Sequence, residues 1–463
     1  MIEVENIQFD YALEPSRDIL CIDCKSFYAS TECVLRGWDP LRTELVVMSY
    51  PSHRMDQRAS GLILASSPAA KRAYGIGNVS RARDLPFPYP PSLKIVPPRM
   101  RLYMKMNQKI NRIYKSYCDE ENHHVYSVDE SFLDVTNVLK LFQVDSPFEL
   151  ARMIQRDVFC QTGIYTTVGI GDNPLLAKLA LDNAAKKNAN MKAEWRYQDV
   201  ARTIWKIPEL TDFWGIGKKQ AKRLNNLGIR SIDQLAHSNY FYLKERMGVI
   251  GAQLYAHSWG IDRSFLGETY EPKSHSIGHQ QILPRDYDKK EELAVVIKEM
   301  ADQIGTRLRK DGLKAEGLTL QLIFSKGYID EGDRTYLKRH MTLEATAQRK
   351  DLMKVAMKMF DSLYRGQVIR AVALTADRLT RKEYQQLDLF TPIELIEQAK
   401  KVDEIVDRIR QRYGFKKLVY AHSLKEGGRA IERSSLVGGH AGGLSGLEEE
   451  KNFGKNWEKL YRL

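Results

Sequence analysis

The sequence predicts an α+β chain of several domains, and three changes of pattern along its 463 residues carry that prediction. Up to about residue 190, short β-branched and apolar runs alternate with helical periodicity. Residues 192–260 are almost wholly helical in pattern. From 274 to 382 the order becomes strand, helix, strand, strand, helix, strand, a split βαβ arrangement compact enough to form its own domain. At roughly 100–150 residues per domain, the chain has room for three or four.

In the first segment strands are expected at 18–24, 45–49 and 61–65, in a hairpin around 123–135, and at 166–171. Helices are expected near 27–35, 68–74, 100–118, 147–162 and 174–185, which together imply a mixed or antiparallel sheet. Pro86, Pro88, Pro90, Pro91, Pro97 and Pro98 punctuate a stretch that reads as an irregular loop, on which a small subdomain of about residues 38–85 can hinge. Glu271-Pro272-Lys273 reads as a linker. In the split βαβ segment the strands fall at 276–283, 317–325, 335–344 and 368–379, and the helices at 289–310 and 347–364. The two helices would cover one face of the sheet and leave the other free. Beyond Leu379 come the hexapeptide Gln385-Gln386-Leu387-Asp388-Leu389-Phe390, an amphipathic helix marked by Ile393, Ile396, Val402, Ile405 and Ile409, and a Gly/Ser-rich end around Ser434 to Gly446. That end is expected to be poorly ordered in isolation.

The formal net charge of +12 favours a polyanionic partner, and residues 271–382 carry 22 Lys+Arg against 16 Asp+Glu, half of the surplus in about a quarter of the chain. No apolar run approaches the ~20 residues a bilayer requires, and the N-terminus lacks a charged-then-apolar leader. The expectation is a soluble, cytoplasmic protein with no membrane partner. Five cysteines at 21, 24, 33, 118 and 160 are an odd set that does not suit a disulfide framework. Cys21 and Cys24 have CxxC spacing, but no second pair exists and the two straddle Asp23 in an apolar strand, so core packing is preferred to zinc.

The chemistry lies in Ser127-Val128-Asp129-Glu130. Adjacent acids between two strand-like runs have little structural use, and a further acid, Asp23, ends the apolar run Asp18-Ile19-Leu20-Cys21-Ile22. Brought together, these acids repel unless a hard divalent cation lies between them, Mg²⁺ above all. Two-metal phosphoryl transfer uses such carboxylates to bridge ions roughly 3.5–4 Å apart. Asp23 and Asp129 suit bridging, and Glu130 suits the ion on the hydroxyl side. Asp134 is two pleats away from Glu130 and a poorer ligand. Phe27 and Tyr28 follow Asp23 closely, and a rigid ring under a sugar can exclude a 2′-hydroxyl by shape. Lys71, Arg72, Lys186 and Lys187 are candidate donors to a triphosphate. Trp214-Gly215-Ile216-Gly217-Lys218-Lys219 reads as a hairpin between helices whose backbone N–H groups and lysines grip DNA phosphates. Met247-Gly248-Val249-Ile250-Gly251 reads as a weaker second hairpin.

Taken in order, Cys21 to Ser30, Tyr126 to Asp134, Thr167-Val168-Gly169-Ile170-Gly171 and Trp214 to Lys219 resemble the Y-family, or translesion, DNA polymerases, and most closely their bacterial UmuC-type branch. The resemblance runs from about residue 17 to 380. It implies a right-hand polymerase with a ferredoxin-like palm at 1–37 and 86–190, small fingers at 38–85, a helical thumb at 191–262 carrying the helix-hairpin-helix, a little finger at 274–382 and a tail from 383 to 463. It implies a low-fidelity, template-directed polymerase acting on primer-template DNA and deoxynucleoside triphosphates with two Mg²⁺ ions and without proofreading. By the same resemblance Asp23, Asp129 and Glu130 are the catalytic metal ligands, with the Cys24 backbone carbonyl beside them. Tyr28 matches the steric gate that selects the sugar, and Ser66 and Arg72 match contacts to the triphosphate. Lys186 matches the palm lysine only if one residue is inserted, which leaves Lys187 open. Ala69 departs from the aromatic that many relatives carry. Gln386, Leu387, Leu389 and Phe390 are similar to the peptide with which bacterial polymerases dock on the sliding clamp. A UmuD-like accessory subunit, a recombinase filament and damage-induced expression are further expectations from resemblance. Two rivals are a nucleotide cyclase on the same palm, which the Gly-x-Gly hairpin and the clamp peptide disfavour, and a catalytically inactive DNA-binding or clamp-associated factor, which the intact acids disfavour.

Overall fold

The computed structural model describes residues 7, 9–48, 62–77, 80–268, 272, 274–325, 327–330, 332–381, 393–434, 436–437 and 440–441. The chain divides into two compact units, the first running to Thr269 and the second from Tyr270 to His440. The hexapeptide 385–390 and most of the Gly/Ser-rich end lie outside the described residues.

In the first unit the elements are β1 (Ile19–Cys24), α1 (Phe27–Leu35), β2 (Leu45–Met48), β3 (Ile63–Ser66), α2 (Pro68–Tyr74), β4 (Lys94–Val96), α3 (Met100–Tyr114), β5 (His123–Val125), β6 (Glu130–Asp134), α4 (Pro147–Thr162), β7 (Thr166–Gly171), α5 (Pro174–Ala180) and β8 (Lys192–Trp195). One sheet has the order β5-β6-β1-β7-β8, and a smaller one the order β3-β2-β4. β1 is central and its residues Ile19 to Ile22 are fully buried, as a continuous apolar run predicts. Ser67-Pro68 and Ser146-Pro147 start α2 and α4: each serine hydroxyl accepts from a first-turn N–H, and each proline sits where no N–H is needed.

Two expectations are corrected here. The proline-punctuated stretch holds a strand, β4, which pairs in parallel with β2. Its prolines flank Lys94–Val96 at a sheet edge, where a missing donor costs no ladder bond. Residues 192–260 are also not helical from their start, because β8 closes the large sheet beside β7. Single 3₁₀ turns then lead to α6 (Lys218–Asn226), α7 (Ile232–Ala236), α8 (Tyr240–Met247) and α9 (Val249–Ser258). These helices share a core with α5, in which Leu175, Leu176 and Leu179 meet Leu224, Ile232, Leu235, Leu243 and Leu254. α8 and α9 meet at a tight corner through Gly248, where the weaker hairpin was expected.

α5 continues into a π-helical turn, Leu181–Ala185, and both lie directly on β7. A Cβ on Gly169 would stand 2.0 Å from the Ala177 carbonyl oxygen and 2.4 Å from the Leu181 nitrogen, so the Gly-x-Gly of β7 is a close-approach site. Gly169→Ala is expected to push this helix off the strand and cost roughly 2–3 kcal/mol, read as a lowered denaturant midpoint.

The second unit is β9 (Ile277–Tyr287), α10 (Lys290–Lys310), β10 (Lys314–Phe324), β11 (Tyr336–Thr346), α11 (Arg349–Leu363), β12 (Ile369–Thr380) and α12 (Ile393–Tyr413). Its sheet has the order β11-β10-β12-β9, and α10 and α11 bury one face through Leu293, Val296, Leu352, Phe360, Leu318, Leu320 and Leu374. The other face presents Thr319, Gln321, Lys338, His340 and Thr375 in cross-strand register. α12 turns a largely polar stripe inward: Asp403 and Val406 are buried, while Val402 and Ile405 are about half exposed. Ion pairs from Arg309 to Asp403 (3.3 Å) and Asp407 (2.6 Å), and from Arg410 to Asp302 (2.7 Å), hold it. The helix is thus fastened to this unit by charge, which hydrophobic periodicity alone does not reveal.

Candidate active site

Antiparallel pairing of β1 with β6 sets Asp23 directly opposite Glu130, and pairing with β7 sets it opposite Thr167. Like charges at such a cross-strand position repel and need compensation. Asp129 occupies the turn before β6. Ser127 shapes that turn: its hydroxyl donates to Asp129 Oδ1 at 2.8 Å and accepts from the Glu130 N–H at 3.1 Å. The Cys24 N–H donates to the Asp129 carbonyl at 2.9 Å, tying β1 to the turn through backbone atoms.

These acids open onto a cavity of about 700 Å³ whose lining includes Cys24, Lys25, Phe27, Tyr28, Ser66, Lys71, Arg72, Thr167 and Lys186. The structure therefore brings together the residues expected to bind metal or nucleotide, Lys187 excepted. Lys186 Nζ lies 2.9 Å from Asp23 Oδ2 and 2.8 Å from Asp182 Oδ1. The π-helical turn that precedes it accommodates one extra residue in the helix, so Lys186 reaches the cavity, whereas Lys187 is not among its lining residues. The Ser66 hydroxyl is buried and has no hydrogen-bond partner among the described residues. Lys25 and Lys71 make no ion pair among the described residues, and burial lowers the pKa of both.

Burial also raises the Asp23 carboxyl to about 6, against the opposing pull of Lys186 and with further upward pressure from Asp129 and Glu130. A carboxylate so placed needs a nearby cation. Among the described residues no set of three or more His, Cys, Asp or Glu is already gathered for a metal ion. Lysines hold two of the acids instead: Lys178 Nζ bonds Glu130 Oε1 at 2.5 Å, and Lys186 bonds Asp23. The donor set is all hard oxygen and fits Mg²⁺ chemically, with Asp23, Asp129 and Glu130 as the residues that would hold it.

Sequence reading missed Lys178, Asp182 and the support beneath Tyr28. The first two share a helical face with Lys186 at i, i+4, i+8 spacing, a signal present in the sequence. The Tyr28 ring stacks on Tyr103 with centroids 4.5 Å apart. The Tyr103 hydroxyl donates to Glu32 at 2.7 Å, and Arg99 pairs with the same buried carboxylate at 2.6 Å. Arg99→Leu would leave Glu32 with one fewer counter-charge in the core, and is expected to cost about 3–5 kcal/mol in chemical denaturation. Phe27 is buried, and its ring packs 5.6 Å from that of Tyr28.

In the hairpin, Gly215 has φ +98 and Gly217 precedes α6, which starts with Lys218 and Lys219. Trp214 is used within the chain: its indole packs against Tyr126 and Phe132 and donates to the Tyr126 hydroxyl at 3.2 Å. All five cysteines are free, and only Cys160 is exposed.

A sheet carrying acids on neighbouring strands, a cation-lined cavity beside it and a Gly-x-Gly hairpin on a helical domain define a nucleotidyl-transfer class of fold, and comparison with known proteins agrees. The impB/mucB/samB family matches residues 22–182, its C-terminal domain residues 274–389, and the HHH motif of the same family residues 197–229. The chain is 35% identical over 432 residues to the "Putative UV-damage repair protein UvrX" of Bacillus subtilis, covering 93% of this chain and 99% of that one. It is 30% identical to "DNA polymerase IV 2" of the same organism, over 91% and 98% of the two chains. The solved "Y-family DNA polymerase chimera Dbh-Dpo4(243-245)-Dbh" superposes with a TM-score of 0.60 at 22% identity, over 79% of this chain and all of that one, a likeness of fold. The chain belongs to the impB/mucB/samB family, and with it to the Y-family DNA polymerases.

Proposed function

We propose that this protein is a low-fidelity, template-directed DNA polymerase that inserts nucleotides opposite damaged template bases by two-metal nucleotidyl transfer. The observation that carries the reading is the register of Asp23 against Glu130, with Asp129 beside them, at one wall of a cavity lined elsewhere by Ser66, Lys71 and Arg72. Two bound Mg²⁺ ions would supply Lewis-acid activation of the primer 3′-hydroxyl and charge neutralisation at the triphosphate. Asp23 and Asp129 would hold both ions and Glu130 the hydroxyl-side one, with the Cys24 carbonyl adjacent. The Ser66 hydroxyl, Lys71, Arg72 and Lys186 would orient the phosphates for in-line attack, and pyrophosphate leaves. Tyr28, stacked on a ring that is itself pinned to Glu32, would close the space below C2′ of the sugar.

Primer-template DNA would be gripped without sequence preference by Gly215, Gly217, Lys218 and Lys219, and by the polar uncovered face of the second unit's sheet. Trp214 supports that grip by packing the hairpin onto Tyr126. The peptide Gln386 to Phe390 would dock on a sliding clamp, and a UmuD-like subunit or a recombinase filament would be a further partner. Cytoplasmic action in the response to DNA damage, without proofreading, completes the reading. No helix among the described residues is long and apolar enough to cross a membrane.

Primer extension with the purified chain, Mg²⁺ and the four deoxynucleotides tests this directly. Extension of an undamaged primer-template is the expected result. DNA binding with no extension would instead mark a non-catalytic repair factor.

A further inference from the structure

The acids at the cavity wall are paired with two lysines of different character. Lys178 is nearly inaccessible, and its Nζ is fixed between Glu130 (2.5 Å) and Asp182 (3.1 Å). Lys186 is more than a third exposed and lines the cavity itself. Its Nζ touches Asp23 at 2.9 Å and Asp182 at 2.8 Å, with Glu130 Oε1 at 3.8 Å. Asp23, Asp129, Glu130 and Asp182 together carry four negative charges against the two positive charges of these lysines. The ammonium of Lys186 thus lies against a carboxylate that would also hold a divalent ion. Nearby, Lys25 and Lys71 line the same cavity without an ion pair among the described residues.

We propose that Lys186 is a placeholder cation: without a divalent ion it neutralises Asp23, and it surrenders that carboxylate as metal and nucleotide enter. Asp182 is the pivot. It lies one turn before Lys186 and keeps its ion pair while the Nζ swings from Asp23 toward the phosphates. Lys178 stays in place throughout and keeps Glu130 aimed at the cavity. The charge that leaves Asp23 is thereby reused on the nucleotide, so Asp23 is never without a cation beside it. This inference rests on reading the cavity as a two-metal nucleotidyl-transfer site.

The signature is a pair of opposite effects from one substitution. Removing the ammonium frees Asp23 for metal and deprives the triphosphate of a donor. Lys186→Met should therefore tighten Mn²⁺ binding to the nucleotide-free full chain by about tenfold, the scale on which an adjacent charge perturbs a carboxylate. The readout is the free Mn²⁺ signal in electron paramagnetic resonance. The same variant should raise the KM for dATP opposite template dT by about tenfold, through loss of a charge-assisted bond. Lys186→Arg, whose planar fork grips a carboxylate more firmly, should bind Mn²⁺ more weakly than wild type. If the Met variant does not fold, the comparison of Arg with wild type still decides. Unchanged or weaker Mn²⁺ binding in Lys186→Met, or tighter binding in Lys186→Arg, overturns the placeholder while leaving the polymerase reading intact. A wild-type chain that extends no primer strikes that reading itself, and the proposal falls with it.

Discussion

Asp129→Ala is expected to reduce single-turnover nucleotide incorporation on an undamaged primer-template by on the order of 10³-fold or more, the several kcal/mol that a metal-held transition state loses with a bridging ligand. Asp129 suits the experiment because its fold-keeping bond is made by the backbone: the Cys24 N–H donates to its carbonyl, and alanine retains that. The side chain's recorded partner is the Ser127 hydroxyl, which also holds the Glu130 N–H. Asp23→Ala should be as severe. Glu130→Ala should retain more turnover, because in the proposed arrangement Glu130 would hold one ion where the aspartates would hold two. Equal retention by Asp129→Ala and wild type would place the chemistry elsewhere.

The second large effect concerns the sugar. Tyr28→Ala is expected to erode discrimination against ribonucleotides by on the order of 10²-fold, measured as the ratio of kcat/KM for dATP and ATP at one template position. The ring is held as a platform: Tyr103 stacks beneath it, and Glu32 and Arg99 hold Tyr103 from within the core. Deoxynucleotide incorporation should fall far less than ribonucleotide incorporation rises. Unaltered discrimination would move the gate to another residue.

Much of this was legible in the sequence, for reasons that can be assigned. Alternation and helical periodicity are local, and they placed the strands and helices of the split βαβ unit within a few residues. Asp23 stood out because it ends an apolar run, and Glu130 because it and Asp129 are adjacent acids between strand-like runs; the strand register turned that oddity into a pair. Gly169 and Gly171 were visible as a motif, but their cause, helix backbone within van der Waals reach of the strand, is a tertiary fact. β4 was hidden because prolines mask a strand only three residues long. β8 was hidden because Lys192-Ala193-Glu194-Trp195 lacks an apolar run, its strand character coming from β7 beside it. Lys178 and Asp182 were missed because a charged residue in an amphipathic helix reads as solvated until the sheet beneath it is known. The polar underside of α12 defeats periodicity for the same reason: Asp403 is buried and Asp407 half-buried, and Arg309 is there to meet both.

On the proposed reading, these three acids run synthesis across damaged template. The most direct test is insertion of a single nucleotide opposite an abasic site, with wild type and Asp129→Ala compared at equal DNA occupancy. Wild type is expected to insert opposite the lesion, and the variant to bind the same DNA without inserting. A wild type that copies undamaged template but stalls one position before the lesion, or an Asp129→Ala chain that still inserts, would contradict it.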